Sequence, residues 1–161
     1  MMKRVNQIWN HPLYQEHYQQ IQKLEKNRPF CGHSLAHFLD TARLCYIYNL
    51  EQQTNIDREL IYGAALLHDI GRDEQYLEHI PHHIASVRIA EKILPDCDFS
   101  PGEIQQITEA IEGHRNREIC QEKSLKGFLY LADKSSRSCL SCEACQECDW
   151  PQEKKNLQLD Y

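Results

Sequence analysis

Ala65-Leu66-Leu67-His68-Asp69-Ile70-Gly71 is a run of good helix formers that ends in a histidine and an aspartate side by side. Its apolar residues belong in a core. An imidazole and a carboxylate leave water at a large cost unless something pairs them, and one cation satisfies both. Gly71 stands where a glycine commonly closes a helix, which predicts that the pair projects from the last turn. The plain alternative is a solvated helix end, with His68 answering the helix dipole and Asp69 in a turn.

Upstream of this run, Thr54-Asn55-Ile56-Asp57 offers capping oxygens, and Leu60, Ile61, Ala64 and Leu67 continue the helix into His68-Asp69. Downstream, Arg72 to Ile80 reads as a polar connection. Pro81 suits a first helical position, and the next helix runs from His82 to Leu94 with Ile84, Val87, Ala90, Glu91 and Leu94 in register before Pro95 stops it. His82 and His83 fall in its first turn, where the dipole does not favour histidine.

Further out, Tyr14, Tyr18, Ile21 and Leu24 make a helix with a single apolar stripe, expected in an outer layer, while His11 and His17 read as surface residues. A helix opening near Gly32-His33-Ser34 and running to about Asn49 carries two apolar faces, which predicts a central position. His33 and His37 lie one turn apart on one of those faces. Ser100-Pro101-Gly102-Glu103 matches a capping box. The helix behind it carries Ile104, Ile107 and Ile111, and His114 ends that aliphatic stripe. From Ser124 a last helix buries Leu125, Phe128, Leu129 and Ala132 and delivers Asp133, costly beside an apolar stripe unless paired. With no long strand pattern, phosphate-binding glycine loop or repeat, the class is all-α, a compact bundle of about six helices.

The 161 residues suit one core. A formal charge of −6 without a basic stripe argues against a nucleic-acid polymer as partner. No apolar run approaches membrane-spanning length and no secretory leader is readable, so a cytoplasmic location without membrane association is expected. Eight cysteines there read as thiols or metal ligands, and nine histidines make metal chemistry worth testing at each. The expected organisation is a helical domain over residues 1–137, with its core in 28–137, and a cysteine-rich tail, 138–161, packed on it.

His37-x-x-x-Thr41-Ala42, Ala65-Leu66-Leu67-His68-Asp69-Ile70-Gly71-Arg72 and Leu131-Ala132-Asp133-Lys134, in that order, resemble the HD-domain superfamily of metal-dependent phosphohydrolases over about residues 28–137. The resemblance implies a first metal held by His37, His68, Asp69 and Asp133. In two-metal members a further histidine pair holds a second ion bridged by the aspartate. His82 and His114 stand at matching places, with His83 as the alternative if the alignment slips by one. The implied substrate is a small phosphate ester or anhydride, of a nucleotide. A two-metal dinucleoside polyphosphate hydrolase is one alternative, and a non-catalytic redox-sensing module that binds metal or nucleotide is another.

Imidazoles and carboxylates with room for water favour one or two divalent Mn, Fe, Co or Ni ions over closed tetrahedral zinc. Two cations sharing Asp69 would lower the pKa of a bridging water. Arg72, Arg115, Lys134 and Arg137 neighbour these residues and are candidates for holding phosphate oxygens, Arg72 foremost because the family usually has a basic residue there. His33 is read as a phosphate contact, a proton donor to the leaving group or a partner orienting His37.

Cys139, Cys142, Cys145 and Cys148 repeat every three residues, a spacing that resembles zinc knuckles and iron–sulfur runs. Three with a remote fourth is the commoner arrangement, and Cys31 is the candidate fourth. A soft second site, holding zinc or an iron–sulfur cluster, is therefore expected beside a reduced-thiol alternative. Cys45 and Cys97 read as small buried apolar residues.

Overall fold

The computed structural model describes all 161 residues. Eight α-helices follow one another: α1 Lys3–Asn10, α2 Pro12–Leu24, α3 Leu35–Glu51, α4 Arg58–Leu67, α5 Arg72–Glu78, α6 His82–Asp96, α7 Pro101–Gly113 and α8 Leu125–Ser135. Three short 3₁₀ turns, Arg117–Gln121, Cys139–Ser141 and Gln152–Lys154, complete the chain. The starts are chemically marked. Ser34 accepts from His37 N–H, Asp57 from Glu59 N–H and Ser124 from Gly127 N–H, while Ser100 and Glu103 form the expected capping box.

The element at the centre is α4, not α3. α4 buries Leu60, Ile61 and every residue from Gly63 to Leu67, and it packs against α1, α3, α6, α7 and α8. α3 lies between α4 and α8 and buries a single stripe, His37, Phe38, Thr41, Ala42, Cys45 and Asn49. Leu44 and Tyr48, expected on a second inward face with Thr41, stay partly exposed. A helix hydrophobic all round is a buried one, and only α4 meets that description.

The connection expected over Arg72–Ile80 is largely α5, because Gly71 opens that helix and does not close α4. α4 ends at Leu67, with His68 as its last half-helical residue. Gly71 has an ordinary φ of −89°, so its glycine answers a steric demand. A Cβ there would stand 2.6 Å from both Ala85 Cβ and Ser86 N. The backbone of the His-Asp turn thus lies directly on the start of α6, and Gly71 N–H donates to Ser86 Oγ at 2.9 Å.

Three smaller expectations also shift. Pro81 precedes α6 as its cap, and α6 continues through Pro95 to Asp96, since a proline near a C-terminus leaves most of the helical ladder intact. The buried face of α6 is His82, Ala85, Ser86, Ile89, Ala90, Ile93 and Leu94, with Ile84 turned to solvent. α2 is no outer layer at Tyr14 and Ile21, both fully buried, the former donating its hydroxyl to Leu66 O at 3.2 Å.

Candidate metal centre

Six buried side chains converge where the end of α4 meets the starts of α3 and α6 and the ends of α7 and α8: His37, His68, Asp69, His82, His114 and Asp133. One ligand atom from each of His37, His68, Asp69 and Asp133 lies within 4.8 Å of the others, and the same holds for Asp69, His82 and His114. Asp69 belongs to both groups and divides its oxygens between them. Oδ2 faces His68 Nε2 at 3.2 Å and His37 Nε2 at 3.9 Å, while Oδ1 faces His82 Nε2 at 3.1 Å and His114 Nε2 at 3.7 Å. Asp133 Oδ1 lies 3.5 Å from His37 Nε2 and 3.6 Å from His68 Nε2. His83 stands outside both groups.

The tautomers are set by what each Nδ1 meets. His68 Nδ1 donates to Ala65 O at 2.7 Å, His114 Nδ1 to Ile111 O at 2.5 Å, and His82 Nδ1 to Gln75 Oε1 at 2.5 Å. Ser136 Oγ gives its hydrogen to Asp133 O, so it accepts from His37 Nδ1 at 3.1 Å. All four Nε2 atoms therefore point lone pairs inward, the arrangement that second partners impose on metal-binding imidazoles. His82 Nε2 and His114 Nε2 face each other at 3.2 Å with no proton left between them. His68 Nε2 and Asp69 Oδ2 are buried without a hydrogen-bond partner, their 3.2 Å approach being out of line for one. A donor set of this kind fits a cation, and two sharing Asp69 fit both groups.

The electrostatics agree. Burial favours the neutral ring of His68, yet Asp69 and Asp133 overcome it and carry that imidazole up to about 9. Burial pushes the Asp69 carboxyl up, and His68 and Arg72 reverse this, holding it well below the usual carboxylate range. His82 is pushed down to about 2 by burial, against the pull of Asp69. Two buried carboxylates that raise the proton affinity of His68 against its burial make the centre a place that attracts positive charge, a proton on His68 or a cation in its stead.

The other residues named from the sequence divide. Arg72 Nε donates to Asp69 Oδ1 at 3.0 Å. Arg137 Nη2 donates to His37 Nε2 at 3.1 Å, lies 3.5 Å from Asp133 Oδ1, and through Nη1 holds Gly32 O at 3.0 Å. Lys134 pairs with Asp133 and reaches His114 O at 3.4 Å. Arg115, expected beside them, is exposed and bonds to nothing, because the chain turns away after His114. His33 is buried, with Nε2 3.4 Å from Asp69 Oδ2 and Nδ1 bonded to Glu25.

Glu25 and Gln75 went unnoticed in the sequence. Glu25 also accepts from Tyr76 Oη at 2.6 Å and from His33 N–H at 2.7 Å; burial raises its carboxyl, but His33 and Tyr76 bring it down to about 2. Neither residue carries a local signal, since Glu25 ends an exposed helical turn and Gln75 lies in the stretch read as a loop. The sequence pattern predicts surface positions for His17 and His11. His17 instead bonds Asp73 at 2.7 Å, and His11 caps α2 through Leu13 N–H.

Two cavities meet at Arg137. One, of about 290 Å³, is lined by His33, Arg72 and Arg137 on one side and by Cys31 and the tail cysteines on the other. The larger, about 890 Å³, lies between α3, α8 and the C-terminal segment, with Tyr48, Asn156 and Tyr161 among its walls. Unlike the His/Asp side chains, no three cysteine sulfurs lie within 4.8 Å of one another.

The model of the HD domain family matches residues 34–138. An uncharacterized protein of Clostridium beijerinckii is 41% identical over 160 residues, covering 99% of this chain and all of that one. A bifunctional uridylyltransferase/uridylyl-removing enzyme of Bradyrhizobium diazoefficiens is 31% identical over an alignment of 80 positions that covers 44% of this chain and 8% of the enzyme. The crystal structure of a predicted HD superfamily hydrolase from an uncultured Thermotogales bacterium superposes with a TM-score of 0.61 at 20% identity, covering 89% of this chain and 81% of that one. That likeness concerns the fold.

Proposed function

Because the chain belongs to the HD domain family, we propose that it is a metal-dependent phosphohydrolase acting on a phosphate ester or anhydride of a nucleotide. The observation that carries the metal dependence is the meeting of His82 Nε2 and His114 Nε2 at 3.2 Å with both Nδ1 hydrogens given to oxygen acceptors. Two lone pairs so placed repel unless a cation lies between them and Asp69. His37, His68, Asp69 and Asp133 would hold one divalent ion, and Asp69, His82 and His114 a second. Such ions supply Lewis acidity and a water acidic enough to be a nucleophile near neutral pH.

The chain's own groups do the remaining work. Asp69 faces four imidazoles at once, and the carbonyls of Ala65 and Ile111, with Gln75, keep three of those rings in the ligating tautomer. Arg72 and Arg137 present guanidinium groups beside the carboxylates, where they neutralise phosphate oxygens. His33, held by Glu25, keeps Nε2 directed at the centre and is placed to give a proton to the departing oxygen. The nucleotide part is supported by the 890 Å³ cavity, within the size range of small-molecule sites, whose lining includes Tyr48 and Tyr161 and which Arg137 joins to the centre.

Phosphate release from p-nitrophenyl phosphate, nucleoside mono- and triphosphates and dinucleoside polyphosphates, measured with added Mn, tests the reading. Nucleotides are expected to outpace the generic ester, with Asp69→Asn losing both turnover and bound metal. A preference for dinucleoside polyphosphates would select the two-metal alternative. Metal-replete protein that releases phosphate from none of these substrates overturns the enzymatic reading and favours a binding module.

A further inference from the structure

The cysteine tail wraps back over the loop before α3, and five thiols end up on one cavity. Cys31 comes from that loop. Cys139, Cys142, Cys145 and Cys148 come from the tail, where Cys142 N–H bonds Cys139 O at 3.3 Å and Cys145 N–H bonds Cys142 O at 3.1 Å. Those successive turns bring every third residue to the same wall. All eight cysteines of the chain are unpaired, so no disulfide competes for them.

The sulfurs are too far apart for a lone ion. A tetrahedral zinc with Zn–S bonds of about 2.3 Å requires thiolates about 3.8 Å apart, and no three sulfurs here come within 4.8 Å of one another. A polynuclear cluster distributes its cysteines over different iron atoms and so accepts a wider ring. The cavity of about 290 Å³ leaves room for one.

We propose that Cys31 and three of the four tail cysteines ligate an iron–sulfur cluster of the four-iron type in this cavity. Loading a preformed cluster is ligand exchange. Each of the four thiols loses its proton and forms one S–Fe bond, the cluster's previous ligands leave, and no electron is transferred.

The surroundings suit such a group. A cluster with four thiolates is anionic, and the cavity presents Arg28, Arg72, Arg137 and Lys155 against a single carboxylate, Asp149. Three of these cations also fix the two cysteine segments: Arg28 Nε bonds Cys31 O at 3.0 Å, Arg137 Nη1 bonds Gly32 O at 3.0 Å, and Lys155 Nζ bonds Cys145 O at 2.7 Å. Phe30 and Trp150 add apolar walls that limit solvent.

The cluster would lie across Arg137 from the His/Asp centre, bracing the ends of the elements that carry His37 and Asp133. The test is iron and acid-labile sulfide analysis of the untagged full-length chain purified without oxygen, with the visible spectrum and Mössbauer signal recorded. About four iron and four sulfide per chain beyond the metal of the His/Asp centre are expected. They should be lost in Cys31→Ser and kept in Cys120→Ser. One equivalent of zinc without sulfide overturns the cluster, as does the absence of both metals in wild type. Retention in Cys31→Ser overturns the ligand assignment. The wild-type analysis decides even where a serine variant fails to fold, and its outcome is independent of phosphatase turnover.

Discussion

Replacing Gly71 with alanine asks whether the contact between the His-Asp turn and α6 is as tight as it is drawn. The new Cβ would stand 2.6 Å from Ala85 Cβ, 2.6 Å from Ser86 N and 2.8 Å from Ala85 C. Two of these are backbone atoms that cannot rotate away, so α6 or the turn must move by most of an ångström. Gly71 has φ −89°, which alanine adopts freely, so the whole cost is steric. Overpacking of this kind costs typically 1–3 kcal/mol, and about 3 kcal/mol is expected with backbone on the far side. For a domain of this size that lowers the melting temperature by about 6–12 °C. Gly102→Ala is the control, because its Cβ meets nothing within 4 Å and alanine is the better helix former by about 1 kcal/mol. Differential scanning calorimetry compares the two. A Gly71→Ala protein melting within about 1 °C of wild type would refute the close approach. If instead α6 yields, His82 moves off Asp69, and bound metal should fall toward one ion per chain.

His68→Ala or Asp69→Ala should remove most bound divalent metal and nearly all phosphate release; wild-type metal content measured by plasma mass spectrometry in either would sink the first-site assignment. His114→Ala should reduce stoichiometry from two toward one and leave the first ion in place, and an unchanged ratio would mark a mononuclear centre. The Glu25 carboxyl lies near 2 in the folded chain against an ordinary 4.5. Its contribution is therefore present above pH 4.5 and lost as pH falls toward 2, with a ceiling of about 3 kcal/mol. Urea unfolding across that window should show a shallower acid loss in Glu25→Gln than in wild type, and parallel curves would deny Glu25 this role.

Local pattern was enough for the helical class, for most helix starts and for the polar residues that punctuate apolar stripes. Ser34, Asp57, Ser100 and Ser124 announce helices because capping is satisfied within three residues. His68, Asp69, His114 and Asp133 stand out because an ionisable group at the end of a buried stripe is costly, and that cost is visible in one dimension. Tertiary structure alone decided which helix is central, since α4 and α3 are similarly apolar and differ in how many neighbours pack on them. It also decided that Gly71 opens α5, because the reason for glycine there is Ala85, fourteen residues away. The division of Asp69 between two histidine groups, the selection of His82 over His83 for the cluster and the exposure of Arg115 depend on directions of side chains that share no local pattern. Glu25 and Gln75, which fix His33 and His82, were invisible for the same reason: an exposed-looking glutamate or glutamine becomes an orienting group only when another segment folds over it. Cys31 is a candidate partner of the tail from sequence, and the fold brings the two segments onto one cavity with Arg137 holding Gly32.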